Sequence, residues 1–155
     1  HSLAFTASGS GLFSFVSFTI TGNLVAESSW PPSSVYCSGS ANSVGAGAMI
    51  GTGGTPSVGN ADLTLTCQGL PANQPGIYFY GPNQVSVPFG NGVRCVGGGL
   101  VRLPAQFSGM NGIVNRVIDA STLPAPISAG ETRNFQFWYR DPAAGGAFFN
   151  LSAPN

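Results

Sequence analysis

Few residues in this chain could carry covalent or metal chemistry. His1 is the only histidine. An N-terminal histidine binds copper in a histidine brace only beside a second histidine, so a processing site or tag remnant is the better reading. The same shortage removes Ser-His-Asp and Cys-His nucleophilic arrangements. The acids Glu27, Asp62, Asp119, Glu131 and Asp141 are scattered. A glycosidase needs two carboxylates facing across a cleft at roughly 5–9.5 Å. Asp119 and Asp141 would be a pair to test, but nothing in their spacing singles them out, and surface or turn carboxylates are the simpler account. Asp141 before Pro142 reads as a turn initiator, and Arg140 beside it as one half of a buried ion pair. Calcium needs several oxygens close together, and only the Asn60/Asp62 neighbourhood comes near that. Gly97-Gly98-Gly99 is followed by no lysine, so it is no phosphate loop; a bulge or a tight strand crossing fits it better. This inventory predicts no enzyme, no metal and no cofactor.

Binding chemistry is better represented. Trp30, Tyr78, Tyr80, Trp138 and Tyr139 are candidates for stacking on a glycan, Trp30, Tyr78 and Tyr80 foremost, with Tyr78 and Tyr80 on one face of their strand and Trp138 facing opposite to Tyr139. Core packing with polar-tipped rings is the competing reading. Three cysteines, Cys37, Cys67 and Cys95, are widely spaced with no CxxC, which fits one disulfide and an odd thiol rather than a zinc knuckle. Asn150-Leu151-Ser152 is a glycosylation sequon.

Composition narrows the class. Charged residues make up 6% of the 155-residue chain, against about 25% in ordinary soluble domains. There is no lysine, and five arginines balance five acids. Without a basic patch to neutralise phosphates, nucleic acid is excluded as a partner. Near-zero net charge permits self-association. Hydrophobic residues reach 43%, so low charge does not mean disorder. No run of ~18 apolar residues predicts a membrane span. Residues 1–11 lack the basic start of a signal peptide, so secretion would imply a leader already removed. Low charge, abundant Ser, Thr, Asn and Gly, and the cysteines point to an extracellular compartment.

The elements that must position these residues are short strands. The 23 glycines and 12 prolines punctuate brief apolar runs, the pattern of an antiparallel all-β sandwich or jelly roll. Leu12, Val16, Phe18 and Ile20 share one face of a strand over residues 12–21, and Phe13 and Phe15 lie on the other; such a strand is buried or donated. Asn23 to Ser34 reads as a linker, stiffened by Pro31-Pro32. Residues 1–34 are thus an N-terminal strand plus linker, and residues 35–155 a sandwich domain. Within the latter, Asp62–Cys67, Ile77–Tyr80, Val85–Phe89, Val93–Val96, Leu100–Leu103, Ile113–Ile118 and the aromatic Arg133–Arg140 read as strands. Met49-Ile50 is an apolar pair among glycines. After the turn at 141–146, Phe148–Ser152 begins another strand, and the sheet looks one strand short, an edge that invites a partner.

Four segments carry a family resemblance. They are Val35-Tyr36-Cys37 with Ala41–Gly45, Gly69–Gly76, Val87–Cys95, and Arg133–Pro142. On them the chain resembles a secreted β-domain common at the C-termini of large planctomycete and myxobacterial extracellular proteins, over about residues 35–155. The resemblance implies an extracellular β-sandwich more than an activity. It implies a Cys37–Cys95 bridge, leaving Cys67 free or paired between chains. It also implies one further apolar strand after Phe149-Asn150-Leu151-Ser152, often bearing a cysteine, which this sequence does not show. The segment at 12–21, outside the familiar pattern, is complementary to that gap. The leading expectation is therefore a structural subunit of an extracellular assembly or filament, a homopolymer built by donating Leu12, Phe13, Phe15, Val16, Phe18 and Ile20 into the next subunit. The alternative is a glycan- or surface-binding accessory module.

Overall fold

The computed structural model describes residues 36–154, which lie in the unit that begins at Pro31. Ten strands follow in order: β1 Met49–Gly53, β2 Leu63–Gln68, β3 Pro75–Gly81, β4 Asn83–Phe89, β5 Gly92–Gly97, β6 Val101–Arg102, β7 Gln106–Phe107, β8 Val114–Ile118, β9 Asn134–Arg140 and β10 Phe149–Leu151. The strand pairs are antiparallel, and the only helical turn among the described residues is a 3-10 turn at Pro142–Ala144. The fold is thus all-β and sandwich-like. No described helix is long and apolar enough to cross a membrane.

Three sheets share the work. β1-β2-β8 form one; β10-β9-β3-β6 form another, with β7 also pairing β3; β4-β5 form a hairpin. Period-two alternation decides which side chains meet. On β2, Leu65 and Cys67 point inward, and Ile50, Val114 and Ile118 join them from β1 and β8. Against them the large sheet presents Tyr78 and Tyr80 from β3 and Phe135, Phe137 and Tyr139 from β9. Cross-strand neighbours stack here, with Tyr78–Phe137 centroids 4.6 Å apart and Tyr80–Phe135 5.2 Å. β9 passes this close to β3 because Gly76 has no side chain: a Cβ there would lie 2.5 Å from the Phe137 ring.

The reverse face of the large sheet is also apolar. Phe79, Val96 and Leu151 form a second buried cluster, with Leu100, Trp138 and Phe149 packed on it. The β4-β5 hairpin covers part of this face. Gly90, with φ +65°, takes the first central position of its two-residue turn, where only glycine is unstrained. Covering on both faces explains why Ile77–Tyr80 reads as a continuous apolar run rather than an alternating one.

The structure corrects several expectations. Tyr78 and Tyr80 are 0% and 1% exposed, so they offer no stacking face. Their hydroxyls donate to Val114 O (2.9 Å) and Ala125 O (2.7 Å), which makes them satisfied core rings. Asn150 is fully buried, with its amide donating to Ala41 O at 2.9 Å, so the folded domain presents no sequon to a glycosylating enzyme. Cys67 is a free thiol but buried. Burial pushes its ionisation up, so pairing with another chain would require opening the core. Arg140 is exposed rather than paired with a buried acid, and the described ion pair is Arg133–Glu131 at 3.2 Å on the surface. Cys37 and Cys95 are joined, with Cα atoms 6.1 Å apart. Gly98, at φ +83°, makes the tight crossing from β5 to β6. Leu12, Phe13, Phe15, Val16, Phe18, Ile20 and Trp30 lie outside the described residues.

Candidate functional site

The reverse face leaves a groove of about 300 Å³ where the hairpin stops short of covering it. Its floor is a cross-strand row. Leu151 on β10 is registered with Trp138 on β9, and Trp138 with Ile77 on β3. Phe79 continues the floor toward β6, where its registered neighbour is Arg102. Leu100 closes that end; Phe89 of β4 and Arg94 of β5 stand on the hairpin side. Phe89 is 47% exposed, and its ring leans on Phe149 at 5.3 Å, which in turn touches Trp138 at 5.6 Å.

The hairpin lip is held firmly. Gln136, 0% exposed on the groove side of β9, uses its side-chain amide as a surrogate strand. Its carbonyl accepts from Cys95 N at 2.9 Å, and its NH₂ donates to Val93 O at 2.8 Å and Ser152 O at 2.9 Å. At the hairpin tip Asn91 donates to Gly145 O (2.8 Å) and accepts from Ala147 N (2.9 Å). The disulfide at Cys95 ties the start of the described chain to the same strand, and Tyr36 adds a hydroxyl bond to Cys95 O at 3.0 Å. Tyr36, the first described residue, is thus held against β5.

Electrostatics distinguish this groove from an ordinary core gap. Two arginines line it and no carboxylate does. The described acids are occupied elsewhere. Asp62 accepts from Thr55 Oγ1 at 2.6 Å and Asp119 from Ser121 Oγ at 2.6 Å. Asp141 accepts from Ser43 N at 3.0 Å, and Glu131 from Ser128 N at 2.9 Å and from Arg133. Those bonds hold Asp62, Asp119 and Glu131 below the usual carboxylate range: the Thr55 hydroxyl dominates for Asp62, the Ser121 hydroxyl for Asp119, and the Ser128 amide for Glu131. Asp62 and Asn60 tie the Thr55 loop. Among the described residues no group of three or more His, Cys, Asp or Glu is placed to hold a metal. Two buried side-chain atoms of the described residues lack a hydrogen-bond partner: Asp141 Oδ1, away from the groove, and Arg94 Nε, on the groove's lining. The groove is suited to an apolar body that carries a hydrogen-bond acceptor.

Burial also makes the domain alkali-sensitive. The Tyr139 hydroxyl is pushed up to about 12, chiefly by burial, and Tyr36 likewise to about 12. A folded value above the unfolded one, about 10, means the folded state holds the phenolic proton more tightly. The resulting stabilisation is complete below pH 10 and is lost as pH rises from 10 toward 12. Parallel alkaline titrations followed by tyrosinate absorbance and by circular dichroism should show loss of structure within that window. Normal titration of every tyrosine near pH 10 with the fold intact would contradict it.

No family model matches this chain, and comparison with curated proteins and with solved structures gives no match either. The site therefore rests on its own geometry. Of the residues named from the sequence, Trp138 lines the groove floor, and the Cys37–Cys95 bridge sits on the adjoining strand β5. The lining side chains Ile77, Phe79, Phe89, Arg94, Leu100 and Arg102 were not singled out beforehand. One signal for them was present: Ile77 and Phe79 alternate with Tyr78 and Tyr80, so a strand apolar on both faces needed a second covering layer.

Proposed function

We propose that this protein is a structural subunit of an extracellular assembly, and that the reverse-face groove accepts the N-terminal strand of a neighbouring copy. The observation that carries the reading is the apolar floor Leu151-Trp138-Ile77-Phe79 left partly uncovered. A donated strand inserts alternate side chains into pockets of its acceptor, and on a sheet face such as this one those side chains carry the contact. Residues 12–21 supply such side chains on a single face: Leu12, Val16, Phe18 and Ile20. Each one buried contributes roughly 1.5–3 kcal/mol before ordering costs. A cavity of 300 Å³ is at the low end of binding pockets, about 300–1,000 Å³, and suits part of one strand face rather than a second sheet. A head-to-tail contact of this kind propagates into a filament or closes into a ring. The disulfide fits the oxidising surroundings of such an assembly.

Deleting residues 1–22 should leave a folded monomer by size exclusion and no polymer by negative-stain microscopy. Adding a peptide of residues 11–22 should then raise its melting temperature. A deletion variant that still polymerises would sink the reading. Of the described aromatics behind the glycan-binding alternative, Tyr78, Tyr80 and Tyr139 are buried and only Trp138 reaches the groove, so no coplanar aromatic row favours that alternative.

A further inference from the structure

We infer that the groove also reads a charge: Glu27 of the neighbouring copy docks on Arg94. This rests on the strand-donation reading above. Buried donors are nearly always satisfied, yet the Nε of Arg94 is buried without a partner. Arg94 and Arg102 line the groove together, and no carboxylate lines it with them. Asp62, Asp119 and Glu131 are engaged at their own loops; Asp141 is 0% exposed, bonded through Oδ2 to Ser43 N with Oδ1 unpaired, and does not line the groove. The chain holds five acids, so the one left to match the groove is Glu27.

Its position suits that role. Glu27 follows the strand at 12–21 and comes directly after Leu24-Val25-Ala26, a second short apolar run. A strand seated on the floor therefore delivers a carboxylate at the end by which it leaves. Arginine is the side chain fitted to receive it, because its planar fork binds carboxylate in two parallel bonds. A neighbouring copy is the donor rather than the same chain. Glu27 and Cys37 are separated by Trp30-Pro31-Pro32, a stiff extended stretch. The strand-donation reading assigns Glu27 to the neighbour, and the charge-swap mixture below separates that from a pair within one subunit.

A charge swap in the full-length protein tests this. Glu27→Arg and Arg94→Glu should each raise the concentration needed for assembly by about tenfold or more, the loss expected when a partly buried charge is left facing its like. Mixing the two variants should restore assembly. In the mixture, each variant donates into the other's groove, so every interface is again one acid against one arginine. Rescue by mixing also shows that both variants fold. Single variants that assemble like the parent would overturn the proposal. So would restoration only when both substitutions share one chain, because that places the pair within a subunit. If removing residues 1–22 abolishes assembly while the charge variants behave normally, the ion pair fails and strand donation stands. If that deletion leaves assembly intact, strand donation itself fails.

Discussion

Replacing Gln136 with leucine should cost about 3 kcal/mol or more of unfolding free energy, although the two side chains are similar in size. The amide satisfies three backbone groups at once: Cys95 N, Val93 O and Ser152 O. An apolar replacement leaves them without that partner in a site where Gln136 is 0% exposed, and each orphaned buried group costs about 1–3 kcal/mol. The loss should appear as a lower denaturation midpoint with an unchanged slope. Gln136→Glu provides a sharper control. Its ionised carboxylate could still accept from Cys95 N but would face two carbonyls with no proton to offer. Its protonated form could serve one of them. Burial against carbonyls raises the folded ionisation above the unfolded value of about 4.3. The Glu variant should therefore be closest to the parent below pH 4 and lose stability as pH rises toward neutral. A Leu variant as stable as the parent would mean that the hairpin is held by packing alone, and that the groove's lip is not anchored through Gln136.

How much of this could be read beforehand depended on the range of the interactions. Strand β2 was legible because Leu63, Leu65 and Cys67 alternate with threonines. The aromatic β9 was legible because Arg133 and Asp141-Pro142 bound a run of strand formers. Strand β1 was not, because only Ile50 of Met49–Gly53 is buried, and its pairing with β2 confers the strand state. The two-residue strands β6 and β7 carry no pattern of their own. Asn150 and Ser152 looked like surface residues and are core. Asn150 donates to Ala41 O, and Ser152 Oγ accepts from Phe137 N at 3.0 Å, so their polarity is spent on backbone far away in sequence. The groove was half legible: the apolar second face of β3 announced a covering layer. Where that layer stops depends on the register of Ile77 against Trp138 and on Gln136 holding the hairpin, neither of which leaves a local trace.

Cutting the Cys37–Cys95 bond is expected to have an effect as large as the loss of Gln136, through a different route. The bond spans 58 residues and encloses β1 to β5. Closing a loop of that length in the unfolded chain lowers its entropy by an amount worth about 4 kcal/mol at room temperature. Cys37→Ser is the informative variant because it leaves the buried Cys95 sulfur in place. Its denaturation midpoint should match that of the parent in reductant, since both lose only the cross-link. In the unreduced, folded parent, thiol reagents should label nothing quickly, because Cys67 is buried; unfolding should release one equivalent. The bond also fixes the start of the described chain, and Tyr36 hydrogen-bonds to Cys95 O beside it. Without the bond, Tyr36 should lose part of its burial and titrate nearer 10 than 12, while Tyr139 stays raised in whatever fraction remains folded. If Cys37→Ser instead leaves both the midpoint and the Tyr36 titration untouched, then packing around Tyr36 holds the start of the described chain, and the disulfide contributes little to either the fold or the lip of the groove.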